Sequence, residues 1–119
     1  MAVTIVYVTA SDTSEARRIG RTLVEERLAA CANIMAPMTS IYWWEGKVQE
    51  ASEAVLILKT TEASLEALVS RVKALHSYDC PCIEAWPVTA GYGPFLDWVA
   101  QETHGSLAGP DDIGSRGGC

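Results

Sequence analysis

The stretch His76-Ser77-Tyr78-Asp79-Cys80-Pro81-Cys82 gathers an imidazole, a phenol, a carboxylate and two thiols within seven residues. Thiolates with imidazole suit Cu(I) or Zn(II), whereas a closed structural zinc site needs four such ligands. If Pro81 lies in extended chain, Cys80 and Cys82 share a face, because side-chain direction repeats every second residue. Two thiols on one face hold a metal with an open shell. The same residues also have plain structural uses. His76 at a helix C-terminus complements the dipole, and cysteine is among the residue types most often buried. Both readings stand on these residues alone.

Three further residues invite chemistry. Lys59 closes an apolar run just before a helical pattern, where its ammonium could meet an anion at the helix N-terminus or simply reach solvent. Cys31, flanked by Ala29, Ala30 and Ala32, reads as a buried core thiol, and Cys119 as an exposed one at the end of a Gly-rich tail. Because the sequence opens without a basic, apolar export signal, the four cysteines are expected as reduced thiols in a cytoplasmic protein. No phosphate-cradling glycine loop, nucleophile elbow, HExxH or paired CxxC occurs, and nearness in sequence does not make Cys80 and His76 a catalytic pair. The expectation is a binding protein, not an enzyme.

The elements that must position these groups follow from periodicity. Residues 3–9 form a first strand, and Ala16, Ile19, Leu23, Val24 and Leu28 have helical spacing over about 12–28, with Ser11 or Asp12 as cap. Residues 31–44 are rich in strand formers, Pro37 marks a bulge or an edge, and Glu45-Gly46 is a hairpin tip. The return strand becomes continuously apolar from Ala54 to Leu58, which predicts burial on both faces. A second amphipathic helix carries Leu65, Leu68, Val69, Val72 and Leu75 behind a cap at Thr60 or Thr61. A fourth strand ends at Pro87, and a short helix follows Pro94. Residues 1–103 thus form one domain, and 104–119, without period and rich in Gly and Ser, a flexible tail.

This β-α-β-β-α-β order with a terminal helix is an α+β, ferredoxin-like split βαβ sandwich, whose two helices cover one sheet face and leave the other bare. In Tyr42-Trp43-Trp44, alternation sends Tyr42 and Trp44 one way and Trp43 the other. The expectation is that those facing the helices are core and those facing away are covered by another subunit. The 119 residues carry nine Lys and Arg against fifteen Asp and Glu, a net charge of −6, which disfavours nucleic acid or an anionic membrane as partner.

Three stretches, Glu26–Ile34, Thr39–Thr60 and Leu75–Val88, resemble the CutA family of divalent-cation-tolerance proteins, in order along almost the whole domain. The resemblance implies a tight homotrimer like the PII-like signal proteins and an association with copper and other divalent metals, with no cofactor required. It makes Cys31 a candidate copper ligand beside His76, Cys80 and Cys82. It also implies an intersubunit cleft holding Lys59, His76 and Tyr78, walled by Trp44 and Trp86 and bordered by Asp79. Where the family usually has His-Pro-Tyr-Glu-x-Pro-Glu, this chain keeps His76, Tyr78 and Pro81 but has Ser77, Asp79 and Cys82. Carboxylate chemistry is thereby exchanged for thiol chemistry. The function expected is binding of divalent or soft metal ions in metal tolerance or in signalling; the alternative is a PII-like sensor of a small anionic metabolite held by Lys59 and the helix terminus.

Overall fold

The computed structural model describes residues 2–103 and 117–119. Four strands and three helices follow in the order β1 (Val3–Ala10), α1 (Thr13–Glu25), β2 (Cys31–Trp44), β3 (Lys47–Thr61), α2 (Leu65–Leu75), β4 (Ile83–Pro87) and α3 (Gly93–Thr103). The sheet is antiparallel with strand order β2-β3-β1-β4, the arrangement expected of a split βαβ sandwich.

One sheet face carries the main core. Val6, Val8 and Ala10 of β1 and Leu56 and Leu58 of β3 pack against Ala16, Ile19 and Leu23 of α1 and Leu68 and Val72 of α2, all fully buried. Helix α1 lies close to the sheet at Gly20, where a Cβ would come within 2.9 Å of Leu56 Cδ1. Asp12 caps this helix by accepting the Glu15 amide, and Arg27, at φ 63°, ends it earlier than the apolar spacing suggests. Leu28 still reaches the core, because the turn folds its amide back to the Leu23 carbonyl.

The expected cap at Thr60 or Thr61 is not made. Thr60 Oγ1 donates to the Leu28 carbonyl, Thr61 makes no side-chain capping bond, and a short 3₁₀ turn, Glu62–Ser64, leads into α2. The second sheet face is not wholly bare either. Val99 of α3 closes a small cluster with Val3 and Ala30, so α3 covers the end of the sheet where β1 begins.

Beyond β1 the sheet continues as a two-stranded ribbon. Residues 54–61 of β3 pair with β1, whereas 47–53 pair only with β2. Glu45 and Gly46 both take positive φ, 52° and 78°, and join Trp44 to Lys47 in the tight turn that suits the twist of such a hairpin. The expectation that the helix-side aromatics of the hairpin are core is corrected here. Among the described residues no helix lies under the ribbon, and Trp43 is 73% exposed.

Candidate functional site

The irregularity at Pro37 decides what faces the open side of the sheet. Up to Met35 the odd residues of β2 face that side, since Cys31 and Asn33 lie opposite Lys59 and Ile57. Between Met35 and Met38 β2 carries three steps against two on β3, so the parity changes and the even residues take over. Met38, Ser40, Tyr42 and Trp44 then form one wall of a cavity of about 640 Å³. Pro37 is tolerated there because β2 is also an edge strand.

Opposite that wall stand Tyr7 and Thr9 of β1, Glu53 of β3 and the loop from Ser77 to Cys82. The loop is fixed from below by His76, whose side chain is fully buried. His76 Nε2 donates to the Thr9 carbonyl at 2.7 Å, and Nδ1 accepts the Tyr78 amide at 3.0 Å. Both ring nitrogens are therefore occupied, which accounts for the hydrogen-bonding capacity of a neutral imidazole. Glu15 holds the same loop from α1. Its Oε1 accepts the Ser11 amide and hydroxyl, each at 2.9 Å, and its Oε2 accepts the Ser77 amide at 2.7 Å. Burial alone would raise the Glu15 pKa, but the Ser11 and Ser77 donors outweigh it and bring it down to about 2.

The floor is acidic. Glu53 is only 8% exposed, and its Oε2 accepts the Tyr78 hydroxyl at 2.6 Å. Burial and this carboxylate push the Tyr78 phenol well above its ordinary pKa. The Tyr7 phenol is raised as well, by burial and then by Cys82, Glu84 and Glu53. The Cys82 thiol is raised by burial and the same two glutamates, with Thr9 opposing. Tyr7 also stacks on Trp86, with ring centroids 5.4 Å apart. A smaller hollow of about 280 Å³ between the end of α1 and α3 is bordered by the Arg27–Glu102 ion pair and gathers no comparable chemistry.

The expected site residues divide accordingly. Tyr78, Asp79, Trp44, Cys80 and Cys82 line the cavity, and Trp86 stands one ring behind it on Tyr7. Lys59 does not line it. Its ammonium donates to Asn33 Oδ1 at 3.0 Å and lies over the Phe95 ring, at the end of the sheet covered by α3. His76 supports the site from beneath and has no nitrogen left for a metal.

Cys31 is bonded to Cys119, with Cα atoms 5.8 Å apart, so neither is the free thiol expected, and Cys31 drops out as a thiolate ligand in this state. The last residue of the expected flexible tail is thus anchored; residues 104–116 lie outside the described residues. Cys80 and Cys82 are the free thiols. Among the described residues no three His, Cys, Asp or Glu side chains converge as a metal cage. Two free thiols border the cavity, fewer than the four ligands of a closed structural site.

Sequence reasoning missed Glu15, Glu53 and Ser77. Glu53 had one usable signal, a carboxylate directly before a doubly buried apolar run. Among the described residues no helix is long and apolar enough to cross a membrane.

The family model for CutA1 divalent ion tolerance protein matches residues 4–102. The divalent-cation tolerance protein CutA of Archaeoglobus fulgidus is 46% identical over 94 residues, covering 79% of this chain and 91% of that one. The chloroplastic CutA 1 of rice is 43% identical over 102 residues, covering 86% of this chain, and the chain spans 58% of that relative's length. The crystal structure of the Thermus thermophilus divalent cation tolerance protein superposes with a TM-score of 0.83 at 46% identity, covering 85% of this chain and 98% of that one. The same four-stranded sheet and three helices, matched from β1 to α3, make this chain a member of the CutA1 family of divalent ion tolerance proteins.

Proposed function

We propose that this protein binds a soft metal ion, Cu(I) above all, through Cys80 and Cys82, and serves metal tolerance or response by binding without turnover. The observation that carries the reading is that both free thiols border the same cavity. Thiolates select soft ions, whereas magnesium and calcium call for six or more oxygen ligands. With two protein ligands the shell stays open and the metal exchangeable. That suits an ion that is buffered or handed on better than one that holds a fold together. A binding role is favoured over turnover because His76, the imidazole of this loop, has both nitrogens committed.

The working unit in this reading is a homotrimer. Ile41, Trp43 and Val48 share one face of the ribbon at 66%, 73% and 57% exposure, beside an unpaired edge of β2. Apolar surface next to an open strand edge is what a second copy covers.

The test is a competition titration of Cu(I) against a chromogenic chelator under reducing conditions. Near one equivalent per chain is expected, with most of the binding lost in Cys80→Ser/Cys82→Ser and retained in Cys31→Ser/Cys119→Ser. Since the thiols must lose protons to coordinate, and burial raises the Cys82 thiol, affinity should fall steadily as pH drops below the ordinary thiol range. Undiminished binding by the first double variant would remove the site.

A further inference from the structure

The cavity has a second chemistry that the two thiols do not use. Aromatic rings reach it from three directions: Tyr7 from β1, Tyr42 and Trp44 from β2, and Tyr78 from the loop. In the single chain Tyr42 and Trp44 are 41% and 47% exposed, so its own core does not take up their rings. Glu53 and Asp79 are the carboxylates, and among the described residues no lysine or arginine lines the space.

Glu53 is more than nine-tenths buried, yet among the described residues no cation pairs with it; only the Tyr78 hydroxyl occupies one of its oxygens. A buried carboxylate without a counter-charge is costly, and a ligand cation would relieve that cost. Aromatic faces attract cations through the ring quadrupole, most strongly where water is excluded. A hard metal ion would gain little from such walls and would find too few oxygens. An anion would meet only negative charge. The volume, about 640 Å³, is that of a small-molecule pocket.

We infer that this cavity is a binding site for a small organic cation bearing an alkylated ammonium group, faced by Tyr7, Tyr42 and Trp44 and neutralised by Glu53. The inference does not depend on metal binding by Cys80 and Cys82.

The test compares choline with its uncharged isostere 3,3-dimethylbutan-1-ol by calorimetry and tryptophan fluorescence, on the full chain stripped of metal. Choline should bind at least roughly tenfold more tightly than the isostere, the scale expected of cation–π contacts joined to charge attraction by a carboxylate. Glu53→Gln should lose about that factor, since its amide can still accept the Tyr78 hydroxyl. Tyr42→Leu, on the exposed ribbon where the core is untouched, should weaken choline several-fold and leave the fold intact. Cys80→Ser/Cys82→Ser, which keeps a small polar side chain at each lining position, should retain the preference for choline over the isostere while losing Cu(I), which separates this site from the metal site. Equal binding of choline and the isostere, or no choline binding at millimolar concentration, would overturn the inference.

Discussion

Tyr78 and Glu53 meet across the cavity, the phenol donating to Oε2 at 2.6 Å and joining the loop after α2 to the start of the buried half of β3. Tyr78→Phe leaves the carboxylate buried without that donor and should cost about 1–3 kcal/mol in denaturant unfolding. Adding Glu53→Gln should recover part of the loss, because the two side chains act as a pair.

The same contact has a pH signature. The folded Tyr78 pKa is raised, so its contribution to stability is complete below the unfolded phenol value of about 10 and is lost as pH rises through the folded value. Ultraviolet titration should show at least one tyrosine that does not ionise with the others. Because the Tyr7 phenol is raised as well, Tyr78→Phe should lower the number of late-ionising tyrosines by one.

Glu15 carries the opposite sign. Its folded pKa of about 2 lies below the ordinary 4.5, so its contribution is present above the ordinary value and disappears as pH falls toward the folded one. The side chain is only 6% exposed, and the shift corresponds to something on the order of 3 kcal/mol. Stability curves between about pH 5 and pH 2 should therefore be much flatter for Glu15→Gln than for the parent. Ser77→Pro, which removes the amide donor to Oε2, should shift the acid transition upward more than Ser77→Ala, which keeps it.

The Cys31–Cys119 bond closes a separation of 88 residues. Denatured but unreduced protein should take up two equivalents of alkylating agent, at Cys80 and Cys82, and four after reduction. Cys119→Ser should cost about 2–4 kcal/mol of stability. Thiols blocked at the moment of cell lysis would show whether the bond is closed, as in an oxidising compartment, or open, as a cytoplasmic location requires.

Some of this was legible in the sequence and some was not. The four strands, the order of the helices and the change at Pro37 could be read because each leaves a local mark, a period of two or 3.6 or a residue without an amide hydrogen. The cluster of chemistry in His76–Cys82 is local and could be read directly, whereas Trp44 is set beside it by the resemblance to the family and by no local mark. The Glu15–Ser77 and Tyr78–Glu53 contacts leave no local mark, because their partners are 62 and 25 residues apart and meet only through the sheet. His76 looked like a ligand for the same reason. Its satisfaction by the Thr9 carbonyl is a tertiary fact. Trp43 is not the core residue expected, because alternation reveals which face a side chain takes but not whether a helix lies beneath it.

Trp43 tests the assembly. At 73% exposure it contributes little to the single chain, so Trp43→Glu should leave the monomer folded and abolish a trimer. Sedimentation equilibrium at micromolar concentration should find three chains for the parent and one for the variant. A monomeric parent would remove the proposed role of the ribbon.

The most direct test of metal binding at the loop is protection of its two thiols. The unreduced protein is alkylated with and without one equivalent of Cu(I), and the modification of Cys80 and Cys82 is read by peptide mass spectrometry. The account predicts that Cu(I) protects both cysteines together and that an equal dose of magnesium protects neither. Full alkylation of both in the presence of Cu(I) would contradict it.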